Sequence, residues 1–94
     1  MSARGKRHVW RVKSLPCVLC KHLGLDAYPP SDAHHIREGQ GTAQRADDML
    51  TAALCKEHHQ GASGVHGLGR KGFYSRYKLD ELDLLAMTLE ALEA

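Results

Sequence analysis

The sequence predicts a small α+β domain held together by metal. Three observations point there. All three cysteines and five of the seven histidines fall into three tight clusters: Cys17 with Cys20, His34 with His35, and Cys55, His58, His59 and His66 within twelve positions. Two short strand-like runs, Ala33 to Arg37 and Met49 to Leu54, flank a glycine-bearing loop and read as a hairpin between the first and last clusters. A leucine-striped segment from Asp80 to Glu93 reads as one C-terminal helix.

Ninety-four residues make one domain with a modest core, and such a core ordinarily needs a staple. Only five residues are aromatic, so Leu, Val, Ala and Met must fill most of the interior. Three cysteines cannot all pair, which argues against a disulfide framework and for thiolates held by metal in a reducing compartment. No apolar run is long enough to span a bilayer and no signal-peptide core follows Met1, so a cytoplasmic protein is expected. The net charge of +2 conceals an asymmetry. Six Lys or Arg and no acid lie between Met1 and Leu25, whereas five acids and no Lys or Arg lie between Asp80 and Ala94. The head can meet a polyanion, or it is simply a solvated terminus; the tail cannot serve such a partner.

Residues 1–14 read as a basic arm or docked extended segment ahead of a domain over 15–94. Met1 to Lys6 is expected to be mobile, and His8 to Lys13, alternating apolar with charged, to be a short strand or extended piece. Trp10 is read as a core plug in preference to a platform for stacking a base, because a small core needs its single Trp. His8 and His22 are read as surface histidines. Lys21 to Asp32, with Gly24 and Pro29-Pro30, reads as loop.

On a strand, His34 and His35 point to opposite faces and can serve different purposes. Beyond Cys55 a helical turn is expected. Gly61 and Gly64 make a continuous helix carrying both His59 and His66 costly, so a loop that returns His66 is the alternative. Arg70 to Lys78 reads as a short helix, with Phe73 and Tyr77 facing the core and Tyr74 more exposed. Asp80 suits an N-cap, and Glu81 and Asp83 suit the positive end of the dipole. Leu82, Leu85, Leu89 and Leu92, widened by Ala86, form the stripe expected to pack on the domain or on a second copy.

Cys17 and Cys20 enclose two residues, as do Cys55 and His58, with thirty-four between the pairs. A turn across two residues brings both ligand atoms to one side of the chain, so the two pairs together suit one tetrahedral structural zinc. That leaves His34, His35, His59 and His66. Hydrolysis of a phosphodiester needs a base for water and an ion for the phosphate and leaving oxygens, and histidine suits both roles near neutral pH.

In order, Cys17-x-x-Cys20, Ala33-His34-His35-Ile36, Asp48, Leu54-Cys55-x-x-His58-His59 and His66 resemble the HNH, or ββα-metal, nuclease family. The likeness is strongest to phage-encoded recombination-enhancement nucleases, described as acting on DNA held in RecA filaments. Gln60-Gly61, Val65-His66-Gly67 and Glu81 to Ala86 are similar as well, so the resemblance runs from about Pro16 to the C-terminus. It implies a ββα-metal core and a metal-dependent DNA endonuclease working in phage or prophage recombination. His35 would be the general base. His34 and His59 would bind the catalytic ion, and His66 would be a third ligand or hold the phosphate. Asp48 (or Asp47) would orient the base, or be only a turn acid. Two positions depart from the usual pattern: His34 stands where Asp is common, and Asp48 where Asn is usual. The first leaves the ion open among Mg, Mn, Ni and Zn, since imidazoles favour the softer metals. Arg4, Lys6, Arg7, Arg37, Arg45, Arg70 and Lys71 would contact DNA phosphates without regard to sequence. A non-catalytic zinc-stapled DNA-binding module is the rival reading, and an adaptor that binds protein through its leucine helix is a third.

Overall fold

The structure is a computed structural model that describes residues 2–38 and 47–94. Seven elements run in order: α1 (Ala3–Lys13), α2 (Val18–His22), β1 (Asp32–His35), β2 (Thr51–Leu54), α3 (Lys56–Gln60), α4 (Val65–Tyr77) and α5 (Glu81–Glu93). The two strands are antiparallel, with Ala33 opposite Ala53 and His34 opposite Ala52. The α+β class and the hairpin are thus present, and α3 follows directly from β2.

The N-terminal segment is a helix, which corrects the expectation of a mobile arm and a strand. Ser2 caps it, its hydroxyl accepting the Gly5 N–H at 3.0 Å. Gly5, His8 and Val12 form its buried side. Their spacing of three and four is helical, but two of the three are not apolar, so hydropathy alone conceals the period. Gly5 permits a close approach: a Cβ there would stand 2.8 Å from Asp48 Oδ2. Trp10 is on the opposite side, 72 % exposed, and is no core plug. His8, expected at the surface, is buried, whereas His22 is exposed as expected.

All four residues of β2 are fully buried, because α1 and α5 both pack on it. Ala52 and Ala53 are weak strand formers, but their small side chains let both helices come close. Ser31 ties the incoming loop to the end of α1, donating its N–H to Lys13 O at 2.9 Å and its hydroxyl to Leu15 O at 2.6 Å. Leu19, Ile36, Leu54, Phe73 and Leu84 supply the bulk of the core.

The glycines do interrupt the helix after Cys55. α3 stops at Gly61, and α4 starts after Gly64 and bends at Gly69, whose φ of 73° favours a residue without a side chain. Phe73 and Tyr77 pack with ring centroids 4.7 Å apart and planes tilted by 53°, with Tyr74 exposed. α5 begins with a full capping box between Asp80 and Asp83. Its buried face differs from the expected stripe: Leu84 and Thr88 are fully buried, while Leu82 and Leu89 are exposed. Thr88 lies inside because its hydroxyl donates to Leu84 O at 2.8 Å and accepts the Ala53 N–H at 3.2 Å. Among the described residues no helix is long and apolar enough to cross a membrane.

Candidate metal centres

Cys17 caps α2, Cys20 lies within it, Cys55 follows β2 as the N-cap of α3, and His58 lies on α3; their ligand atoms converge. Cys20 Sγ is 3.8 Å from Cys55 Sγ, and His58 Nδ1 is 3.7, 3.4 and 3.4 Å from the sulfurs of Cys17, Cys20 and Cys55. A tetrahedral zinc with ordinary bond lengths requires about 3.8 Å between sulfurs and about 3.6 Å from sulfur to nitrogen. The cluster therefore has the dimensions of a filled zinc site. The Cys20 N–H points at Cys17 Sγ (3.4 Å) and the His58 N–H at Cys55 Sγ (3.5 Å), so the backbone itself supports thiolate charge. Burial, reinforced by Cys17 and Cys55, pushes the Cys20 thiol up to about 12. Burial likewise lowers the His58 pKa and keeps its ring neutral. Three crowded sulfurs and a neutral imidazole make a poor cluster alone and a good one around a divalent cation. The set can hold a structural zinc.

The second centre comprises His34 on β1, His59 on α3 and His66 in the first turn of α4. One nitrogen of each ring lies within 4.8 Å of those of the other two, and the ring centroids are 4.9 to 5.2 Å apart. Two of the rings are paired with carboxylates. Asp32 Oδ2 accepts from His59 Nδ1 at 2.9 Å, and Glu81 Oε2 pairs with His34 Nε2. A ring that gives one N–H to a carboxylate presents its other nitrogen as a lone pair, the arrangement that orients metal-bound histidines. Burial alone would raise the Asp32 pKa, but hydrogen bonds from Lys56 and His59 outweigh it and hold the carboxyl below its ordinary value. Glu81 behaves alike: burial opposes ionisation, but His34 and the N–H groups of Arg37 and Glu38 lower its pKa. Among the described residues His66 has no such partner, and it is exposed; partial burial, with the charges of His34 and His59, lowers its pKa and favours the neutral ring.

Neither Asp32 nor Glu81 was singled out as a site residue from the sequence, although each left a trace. Asp32 is two residues before His34 on β1, so it shares that face. Glu81 was assigned only to the helix dipole.

His35 is on the other face of β1. Its Nε2 lies 2.8 Å from Asp48 Oδ1, beside the start of α1. Asp47 instead accepts the Met49 N–H, so Asp47 is the turn acid and Asp48 the partner of the ring. A cavity of about 270 Å³ opens next to the second centre, lined by His34, His66, Arg37, Arg70, Glu81 and Phe73. Lys71 lines an adjoining groove with Glu38 and Tyr74. Arg4, Lys6 and Arg7 are on α1 and do not line the cavity. Arg45 lies outside the described residues.

Comparison of the chain with protein-family models, with curated proteins and with solved structures finds no match.

Proposed function

We propose that the chain is a metal-dependent DNA endonuclease of the HNH type, with the Cys17, Cys20, Cys55 and His58 zinc as staple and His34, His59 and His66 as ligands of a second, catalytic divalent ion. One observation carries the reading: three imidazoles converge, two of them, His34 and His66, line a cavity that also presents Arg37 and Arg70, and the residue next to a ligand, His35, is a histidine held by a carboxylate. A binding module needs the staple but has no use for this second set.

A divalent ion there, Mg, Mn, Ni or Zn, supplies Lewis-acid stabilisation of charge on phosphate and leaving oxygens. The protein's own groups do the rest. With its Nε2 proton engaged by Asp48, His35 offers Nδ1 to accept a proton from water. His34 and His35 leave opposite faces of β1, so the reading requires a phosphate that reaches around the strand end to meet both ion and base. Arg37 and Arg70 hold non-bridging oxygens, with little sequence preference. Asp32 and Glu81 fix the orientation of the ligand rings. Action in the bacterial cytoplasm on DNA presented by a RecA-type filament, in phage or prophage recombination, belongs to the same reading and rests on the family resemblance.

The test is nicking of supercoiled plasmid and cutting of single-stranded DNA with Mg, Mn, Ni and Zn in turn. Wild type should cut, and His35→Ala and His59→Ala should each lose on the order of a hundredfold or more while staying folded. Equal rates for wild type and His35→Ala would reject the base. No cutting of free or RecA-coated DNA with any ion would favour the non-catalytic zinc module.

A further inference from the structure

The exposed side of α1 is left unused by the reading above. Five of its eleven residues are Lys or Arg and none is acidic. None of the five forms a salt bridge among the described residues. Trp10 lies in the midst of them. Lys6, Arg7 and Lys13 stand four before, three before and three after it, the positions that neighbour it on the helix surface. A Trp 72 % exposed amid cations makes no contribution to the core, where Gly5, His8 and Val12 do the packing. Beside it is a cleft of about 380 Å³, formed by Trp10, Lys13, Ser14, Pro29 and Pro30, and the preceding Tyr28 is 79 % exposed. The cleft wall is anchored, since Ser31 binds the backbone of Lys13 and Leu15.

We propose that this face binds a single-stranded nucleic acid, with an unpaired base stacked on Trp10 and the flanking phosphates held by Lys6, Arg7 and Lys13. Positive charge selects a polyanion, and a free indole face in a cleft selects one whose bases are unpaired. In a duplex the bases are stacked on one another and closed to the ring. A second copy docked through the same face would bring like charges together. A bilayer fits less well, because the apolar side of α1 is spent on the domain and one indole is little to insert. The proposal deepens the DNA-binding side of the nuclease reading and depends on none of its catalytic residues.

Trp10 is the chain's only tryptophan, so intrinsic fluorescence reports on this site alone. The zinc-loaded protein, with no other divalent ion added, is titrated with a dT oligonucleotide, the matching rU strand, a duplex of equal length, heparin, and phosphatidylserine vesicles. Single strands should quench the emission strongly, with dT against rU showing whether DNA or RNA is preferred. Heparin should compete without comparable quenching. Followed by the anisotropy of a labelled dT strand, Trp10→Ala should weaken single-strand binding on the order of ten- to a hundredfold, and Trp10→Phe should restore most of it. With three phosphates engaged, log affinity against log salt should fall with a slope of about −2. Quenching by heparin equal to that by dT, unchanged affinity in a folded Trp10→Ala variant, equal response to duplex, or a response to vesicles alone would each overturn it. A protein that stacks single strands but never cuts would keep this inference and lose the nuclease.

Discussion

The two candidate metal centres interleave in sequence, and His58 and His59 contribute one to each, yet they are built on opposite plans. The first is closed: four ligands, three of them buried, with interatomic distances that leave no vertex for anything else. The second is open: three rings graded from buried His34 to exposed His66, two of them steadied by carboxylates, with His34 and His66 lining a cavity. A closed thiolate set holds an ion for the sake of the fold, whereas an incomplete imidazole set leaves coordination free for a substrate. Adjacent positions on α3 point in different directions, which is how one five-residue helix serves both.

Breaking the closed site should have the largest effect. Binding of structural zinc to small peptides at neutral pH is worth about 10–16 kcal/mol, comparable to or above the whole stability of a domain this size. Cys20→Ala should therefore unfold the protein, seen as loss of helical circular dichroism at 25 °C. A helical Cys20→Ala protein that has lost its zinc would show that the core folds without the staple.

Loosening the open site should be milder and confined to it. Asp32→Asn and Glu81→Gln should each weaken binding of the second ion about 10- to 100-fold, with the first zinc retained. Glu81→Gln should also lower thermal stability somewhat, because Glu81 accepts the N–H groups of Arg37 and Glu38. Isothermal titration with Ni or Zn separates the two effects.

Much of this contrast was legible in the sequence. The paired spacing of Cys17 with Cys20 and Cys55 with His58 is local geometry, so the staple could be read directly. So could the hairpin and the Asp80 cap. What escaped depends on partners distant in the chain. The buried side of α1 contains a glycine chosen for closeness to Asp48 and a histidine, neither of which marks a hydrophobic period. Thr88 displaced the leucine stripe because Ala53, thirty-five residues away, supplies its hydrogen bond. Asp32 and Glu81 became site residues only once β1, α3 and α5 had met.

Acid should separate the centres by a smaller margin. The pKa of His66 is lower in the fold than its ordinary 6.5. Such a group contributes stability that is fully present above 6.5 and is lost as pH falls through the depressed folded value. His58 has the same sign, but its metal is shared with three thiolates. Lowering the pH from 7.5 to 5 should release the second ion before the first, followed by metal-sensitive dye release. Simultaneous loss of both would mean the sites are not independent.

The most direct measurement is a metal count. Protein loaded with zinc, then dialysed against a weak chelator, should keep one zinc per chain; readdition of Ni or Zn should bring the total to two, and His59→Ala should stop at one. A single equivalent in the wild type under every condition, unchanged by His59→Ala, would contradict the second centre.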